Sequence, residues 1–201
     1  MARKTAAEAE QSRQQIMRSA RAIFVEKGYG AASMEEIRGR SGMSKGSIYY
    51  HFKSKQQLFL AILEQNIQDW LDKWKQIAQP DQSLTDKLHA LAVHWVLDFD
   101  NPLISAGDEF VASHSDEPEV IKKMIALTQL HHPIIRDILE QGIAAGELRQ
   151  EDPDMLTYLL FGTLGGLGMA HYDQLPRAKV LALYRMAIEV FLHGVQARQP
   201  V

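Results

Sequence analysis

The 201-residue sequence contains no cysteine. Disulfides, thiolate metal sites and thiol catalysis are therefore excluded. Strand signals are almost as scarce. There is no sustained alternation of period two and no Asn-Gly or Asp-Gly hairpin turn. Long apolar runs are missing too. The most apolar stretch, residues 155–170, is sixteen residues long and holds four glycines, whereas a membrane span needs about 20. Residues 1–15 are polar and carry no apolar segment that would serve as a signal peptide. The expectation is a soluble cytoplasmic protein with no membrane partner. Its 46% hydrophobic content is enough to build a core.

Charge of one sign is lacking in each part of the chain rather than in the whole. The net charge is −3. Residues 1–55 hold eleven Lys/Arg against five acids, a net of +6, and the remaining 146 residues carry −9. Such asymmetry fits a basic head for a polyanion on an acidic body with another task, although a solvated basic face gives the same count.

Helical periodicity fills what the missing strand signals leave open. A first helix is expected over residues 6–27, with Ile16, Ala20, Ile23 and Phe24 on one face and Gly28 as its stop. Ser33-Met34-Glu35-Glu36 reads as a capping box opening a two-turn helix that ends before Gly42. Ser44 starts another short helix to Phe52, and Ser54-Lys55-Gln56-Gln57 caps a long one to about Ala78. Helices follow over residues 83–98 and 103–113. One long helix is expected over 117–145, bent at Pro133. Another starts at Asp152-Pro153, and a last one spans 177–196. The expected fold class is all-α, with a three-helix N-terminal head over residues 1–53 and a helical body over 54–201.

The segment Ser33 to Phe59 carries the most information. Two short helices meet at Ser41-Gly42-Met43, with Ile37, Met43, Ile48 and Phe52 available to fix their crossing. That is the pattern of a helix-turn-helix. The outer face of the second helix offers Lys45, Ser47, Tyr49, Tyr50 and His51, and no acid occurs from Lys45 to Gln57. Gly46 would let the backbone approach a phosphate or a base edge. Such a helix fits the major groove of double-stranded DNA while flanking polar groups grip phosphates.

Phe24, Gly28, Tyr29, Ser33, Ile37, Gly42, Ser44-Lys45-Gly46-Ser47, Tyr49-Tyr50-His51-Phe52, Ser54-Lys55 and Leu58-Phe59 together resemble the TetR family of transcriptional regulators. The likeness is strong over residues 13–62. The segment 142–148 ahead of Asp152-Pro153 is similar to that family's C-terminal domain, and Ala2-Arg3-Lys4-Thr5 is similar to the basic arm of its AcrR-like multidrug-regulator branch. The resemblance implies an Ω-shaped homodimer whose two heads bind successive major grooves of a palindromic operator, with a ligand in the body changing their spacing. It implies that Ser33 contacts phosphate, that Lys45, Gly46, Ser47 and Tyr49 sit in the groove, and that Tyr50, His51 and Lys55 hold the backbone, with Arg3 and Lys4 in the arm.

Outside the head, Trp70, Trp74, Trp95, Phe99, Phe110, His131, Tyr158 and Phe161 are candidates for a pocket taking a small apolar ligand. Aromatic stripes at helical spacing are equally the mark of plain core. Gly162 and Gly166 share a helix face, which suits either packing within the subunit or, as the resemblance implies, a dimer interface with Tyr184, Ile188 and Phe191. His131-His132 with His89 and His94 lacks any metalloenzyme spacing, and no metal or other cofactor is expected. Residues 162–168 lack the Gly-Lys-Ser/Thr of a phosphate loop. The leading expectation is a repressor, not an enzyme, released from its operator by a small apolar ligand. The rivals are an activator or ligand-independent regulator of the same fold, and an all-α metal-dependent enzyme.

Overall fold

The computed structural model describes residues 5–196. Arg3 and Lys4 lie outside the described residues. Among those described there are eleven α-helices and no β-strand, with one isolated antiparallel bridge between Leu148 and Gln196. In order they are α1 (Ala6–Ala31), α2 (Met34–Ser41), α3 (Lys45–His51), α4 (Lys55–Ile77), α5 (Leu84–Leu97), α6 (Ile104–Ser113), α7 (Pro118–Thr128), α8 (His132–Ala144), α9 (Pro153–Gly166), α10 (Met169–Tyr172) and α11 (Arg177–Val195).

Short polar side chains place most of the helix starts, by satisfying amides that have no partner within the helix. Thr5 and Glu8 form a reciprocal capping box at α1, and Ser33 and Glu36 form another at α2. Ser44 accepts from the Ser47 amide at 3.1 Å and Ser83 from the Asp86 amide at 3.1 Å. At α4 the expected box is only half formed. Ser54 Oγ accepts from the Gln57 amide at 3.0 Å, but the Gln57 side chain reaches one residue further back, to the Lys53 N–H at 2.7 Å.

Two expectations change. Residues 117–145 are not one bent helix. α7 ends at Thr128, a 3₁₀ turn covers Gln129–His131, and α8 starts with Pro133 in its first turn. Proline has no N–H to donate, so it fits a helix start better than a helix interior. The first helix, in turn, passes its expected stop. Gly28 adopts φ 78° and ψ 174°, and a further helical turn follows to Ala31.

The chain forms two compact units. The first takes the chain to Gln68 together with Asn101–Thr128, and the second takes Asp69–Asp100 and the chain from Gln129 onward. The core of the first unit contains Ile16, Phe24, Tyr29, Ile37, Ile48, Phe59 and Phe110. That of the second contains Trp70, Leu88, Leu91, Ile135, Leu160, Tyr184 and Ile188.

Gly28 is the most constrained point of the first unit. Its positive φ suits glycine alone, and an added Cβ would overlap the Glu109 carboxylate. Gly28→Ala is expected to lower unfolding free energy by about 1–3 kcal/mol, read from the denaturant midpoint. Adding Glu109→Ala should relieve the overlap but leave the backbone strain and take the acceptor from the Gly30 N–H, so at most part of the loss returns.

Candidate nucleic-acid interface

α2 and α3 are joined by Gly42 in the left-handed conformation (φ 66°), by Met43 and by Ser44, the N-cap of α3. Ile37 on α2, Ile48 on α3 and Phe52 just after it are buried and set the crossing of the two helices. Met43 packs against the same core. The Gln15 side-chain amide on α1 donates to the Ser41 carbonyl at 2.9 Å, holding the end of α2 from the outside. With Ile48 inward, the helical repeat puts Gly46 and Tyr50 on the opposite side of the helix, and Lys45 and Tyr49 are exposed on its flanks. Tyr50 is 72% exposed. Its ring meets the half-buried His51 edge-on at 4.9 Å. Ser47 is half-buried, its hydroxyl 3.9 Å from the Met43 sulfur.

The electrostatics of the unit are more local than its formal charge suggests. Arg40 pairs with Glu26 at 2.6 Å, Arg38 with Glu35 and Lys27 with Glu36. These partners hold the three carboxyls below their usual range, chiefly by hydrogen bonding to Arg40 for Glu26, to Arg38 for Glu35, and to Lys27 and then Ser33 for Glu36. Lys53 Nζ donates to the Tyr49 carbonyl at 2.7 Å. Lys45 and Gly46, by contrast, stand exposed on the first turn of α3.

Lys55 departs from its expected role. Its ammonium donates to the carbonyls of Tyr29 (2.8 Å), Gly30 (3.2 Å) and Ala32 (2.9 Å), which uses all three protons. It also lies 4.3 Å from the centre of the Tyr29 ring. Burial pulls its pKa down, opposed by the nearby Glu109 carboxylate. A lysine so committed has no donor left for a phosphate.

Among the candidates further along the chain, the structure brings together Trp70, Trp95, His131 and Phe161 in the second unit. Ring centres lie 4.8 Å apart for Trp70–His131, 5.4 Å for Trp95–His131 and 5.6 Å for Trp95–Phe161. His132 extends the group to Phe161 (4.6 Å) and to the exposed Tyr158 (5.0 Å). Trp74 is buried beside His94. Phe99 stands apart, stacked on His171 and against Tyr184. Phe110 is not in this group. It is fully enclosed in the first unit by Tyr29, Phe59 and His114, because α6 packs with the head.

The histidines have separate employments. His94 Nε2–H donates to the Trp70 carbonyl (3.0 Å), and burial lowers its pKa. His89 Nε2 lies 2.9 Å from a Glu189 oxygen. Among the described residues, no three His, Asp or Glu side chains gather as metal ligands would.

Gly162 and Gly166 face open space, since an added Cβ at either meets no atom within 4 Å. Close packing inside the subunit is therefore not their role. Tyr184 and Ile188 are fully enclosed, with the Tyr184 hydroxyl donating to the Leu164 carbonyl at 2.6 Å. They belong to their own subunit's core and not to an interface. Phe191 is buried but borders a groove of about 470 Å³ between α9 and α11. The outward residues that sequence reading missed are Met155 and Leu159 on α9, and Met186 and Val190 on α11. Their signal was present as a second apolar stripe on α11, interleaved with the first.

Residues 16–62 match the family described as "Bacterial regulatory proteins, tetR family", and residues 66–197 match "QacR-like protein, C-terminal region". The chain belongs to the TetR family of transcriptional regulators. This TetR-family chain is 25% identical over 181 residues to the HTH-type transcriptional regulator QacR of Staphylococcus aureus (strain Mu50 / ATCC 700699), covering 90% of this chain and 96% of that protein. It is 44% identical to the HTH-type transcriptional regulator AcrR of Shigella flexneri, over 64 residues that make up 32% of this chain and 30% of that protein. The AcrR likeness thus covers only the head. A solved structure of a putative TetR-family transcriptional regulator from Mesorhizobium loti MAFF303099 has the same fold. Its TM-score is 0.82 at 21% identity, covering 96% of this chain and all of that one. The chain is thus a TetR-type transcriptional regulator with a helix-turn-helix DNA-binding region. Among its described residues no helix is long and apolar enough to cross a membrane.

The split between inward and outward residues of α3 has a direct consequence. Ile48→Ala should cost about 2–5 kcal/mol of unfolding free energy, as a truncation in a packed core. Tyr50→Ala should stay within about 0.5 kcal/mol while weakening DNA binding. Chemical denaturation beside a DNA titration reads both. An unchanged DNA affinity for the stable Tyr50 variant would remove that residue from the interface.

Proposed function

We propose that this regulator is a homodimeric repressor that binds a palindromic operator and leaves it when a small apolar ligand occupies the body. The observation that carries this reading is the outer face of α3, where Lys45, Gly46, Tyr49 and Tyr50 stand outward on a helix whose inward side is locked by Ile48. In this reading residues 1–53 are the DNA-binding domain and 54–201 the ligand-binding and dimerisation region. Ser33, with Arg3 and Lys4 of the arm, grips phosphate; Lys45, Gly46, Ser47 and Tyr49 enter the major groove; and Tyr50 and His51 hold the backbone. A regulator of this kind works in the cytoplasm, beside its DNA. No metal, cofactor or catalytic step enters.

Dimerisation is supported by the apolar groove between α9 and α11 and by the exposed glycine face beside it. Val190 is 68% exposed and Met186 62%, an unusual cost for a free monomer. In a two-fold interface each residue acts twice. Met186→Asp should therefore yield a monomer in sedimentation and lose operator binding with it. A fully dimeric variant would place the interface elsewhere.

Ligand sensing is supported by the cluster of Trp95, His131 and Phe161, which His132 extends to the exposed Tyr158, an aromatic group with an imidazole at its centre. α4 contributes residues to both units, so a shift at Trp70 is carried along one continuous helix. A ligand releases DNA only if it binds the DNA-incompetent shape more tightly. Operator DNA must then weaken ligand binding by the same factor, typically about 5–150-fold. A flat aromatic inducer should quench tryptophan fluorescence and raise expression of an operator-controlled reporter. Trp95→Phe should blunt that response more than it changes DNA affinity. A compound that binds free and DNA-bound protein equally would not be the inducer.

A further inference from the structure

The segment between the break in α1 and the start of α2 is held from two sides by opposite charges. On one side Lys55, the first residue of α4, places its three ammonium protons on the carbonyls of Tyr29, Gly30 and Ala32. On the other, a Glu109 oxygen on α6 accepts the Gly30 N–H at 2.9 Å, and the carboxylate fills the space that a side chain at Gly28 would need. The Tyr29 ring, 4.3 Å from the Lys55 ammonium, is packed by Phe24, Phe59, Phe110 and His114 at centre distances of 4.9–5.8 Å.

The segment ends at Ser33. Ala32, whose carbonyl Lys55 grips, is buried and directly precedes it. Ser33 is the N-cap of α2, its hydroxyl accepting from the Glu36 amide and its own N–H donating to the Glu36 carboxylate. Whatever sets the segment therefore sets the entry of α2 and, through the Gly42 turn, the seat of α3. Three carbonyl oxygens turned toward one point repel each other, and an ammonium relieves this because its three protons are arranged around one atom. A guanidinium has its donors in a plane and does not fit such a convergence. Gly30 supplies the remaining problem, an amide in a tight turn, and Glu109 satisfies it.

We infer that Lys55 and Glu109 are positioning residues for operator recognition: they clamp residues 28–32 between α4 and α6 and so aim α2 and α3, without touching DNA themselves. The inference rests on the DNA-binding reading above but replaces the phosphate role that the family resemblance implies for Lys55.

The test uses full-length protein and an operator duplex selected from a random pool by the wild-type chain. Operator affinity is measured across a range of salt for Lys55→Met, Lys55→Arg, Glu109→Gln, Glu109→Ala and the double variant Lys55→Met/Glu109→Ala. Thermal unfolding and sedimentation select the variants that are folded and dimeric. Lys55→Met and Glu109→Ala should each weaken operator binding by about tenfold with the salt slope unchanged. The double variant should be little worse than either single one, because both hold the same segment. Lys55→Arg, which keeps the charge, should not restore affinity. Glu109→Gln, which keeps an acceptor for the Gly30 amide, should fall between wild type and Glu109→Ala.

A phosphate-binding lysine gives another pattern. Lys55→Met would lower the salt slope by about 0.9, Lys55→Arg would rescue, and Glu109 variants would bind like wild type. Any of these three results overturns the inference. If Lys55→Met does not fold, Lys55→Arg and Glu109→Gln still decide it. Failure of the wild-type chain to select any duplex would instead strike the DNA-binding reading itself.

Discussion

Four aromatic rings, Phe24, Tyr29, Phe59 and Phe110, meet in the first unit at centre distances of 4.9–5.8 Å. They come from α1, α4 and α6, parts of the chain as far apart as residues 24 and 110. Each such pair contributes about 0.5–1.5 kcal/mol beyond its burial, but the geometric effect is larger. Tyr29 reaches the cluster only because Gly28 turns the backbone at positive φ. Burying that ring in turn brings the carbonyls of residues 29, 30 and 32 to face Lys55. The seat of the helix-turn-helix follows from this packing, since the next residue, Ser33, is the N-cap of α2.

Charge in the head is organised in two ways. Surface pairs such as Arg40–Glu26 and Arg38–Glu35 keep the helices' flanks neutral, and exposed pairs of this kind add little stability. Lys45 is left outward on α3, where no acid lies between it and Gln57. The exposed face of α3 thus combines one lysine, its charge also felt by Glu35, with the Tyr49 and Tyr50 rings. A net charge counted along the sequence does not separate these cases, because it does not know which bases already have partners.

The second unit shows how one helix serves two surfaces. Along α11, Val180, Tyr184, Ile188, Leu192 and Val195 face inward, while Leu183, Met186, Ala187 and Val190 line a groove with Leu159 and Thr163 of α9. Both stripes are apolar and interleaved at three- and four-residue spacing. Gly162 and Gly166 keep the neighbouring surface of α9 low, so that another helix can approach it closely. An apolar face with this relief is suited to a second helical surface rather than to water.

The head was legible in the sequence because its signals are local. Capping boxes, the glycine turn and the alternation of Ile48 with Tyr49 and Tyr50 depend on residues within one or two turns of each other, so spacing alone specifies them. The same locality made α-helix the only economical reading once strand signals and cysteines were absent. Partners distant in the chain were not legible. That Glu109 fills the space beside Gly28, that Phe110 lies in the first unit and not with Trp70 and Trp95, and that Tyr184 and Ile188 face their own core were decided by tertiary packing. Helical periodicity tells which residues share a face, but two apolar faces look alike in sequence. Only the neighbouring helices determine which face is enclosed, and only convergence in space gave Lys55 three carbonyls to bind.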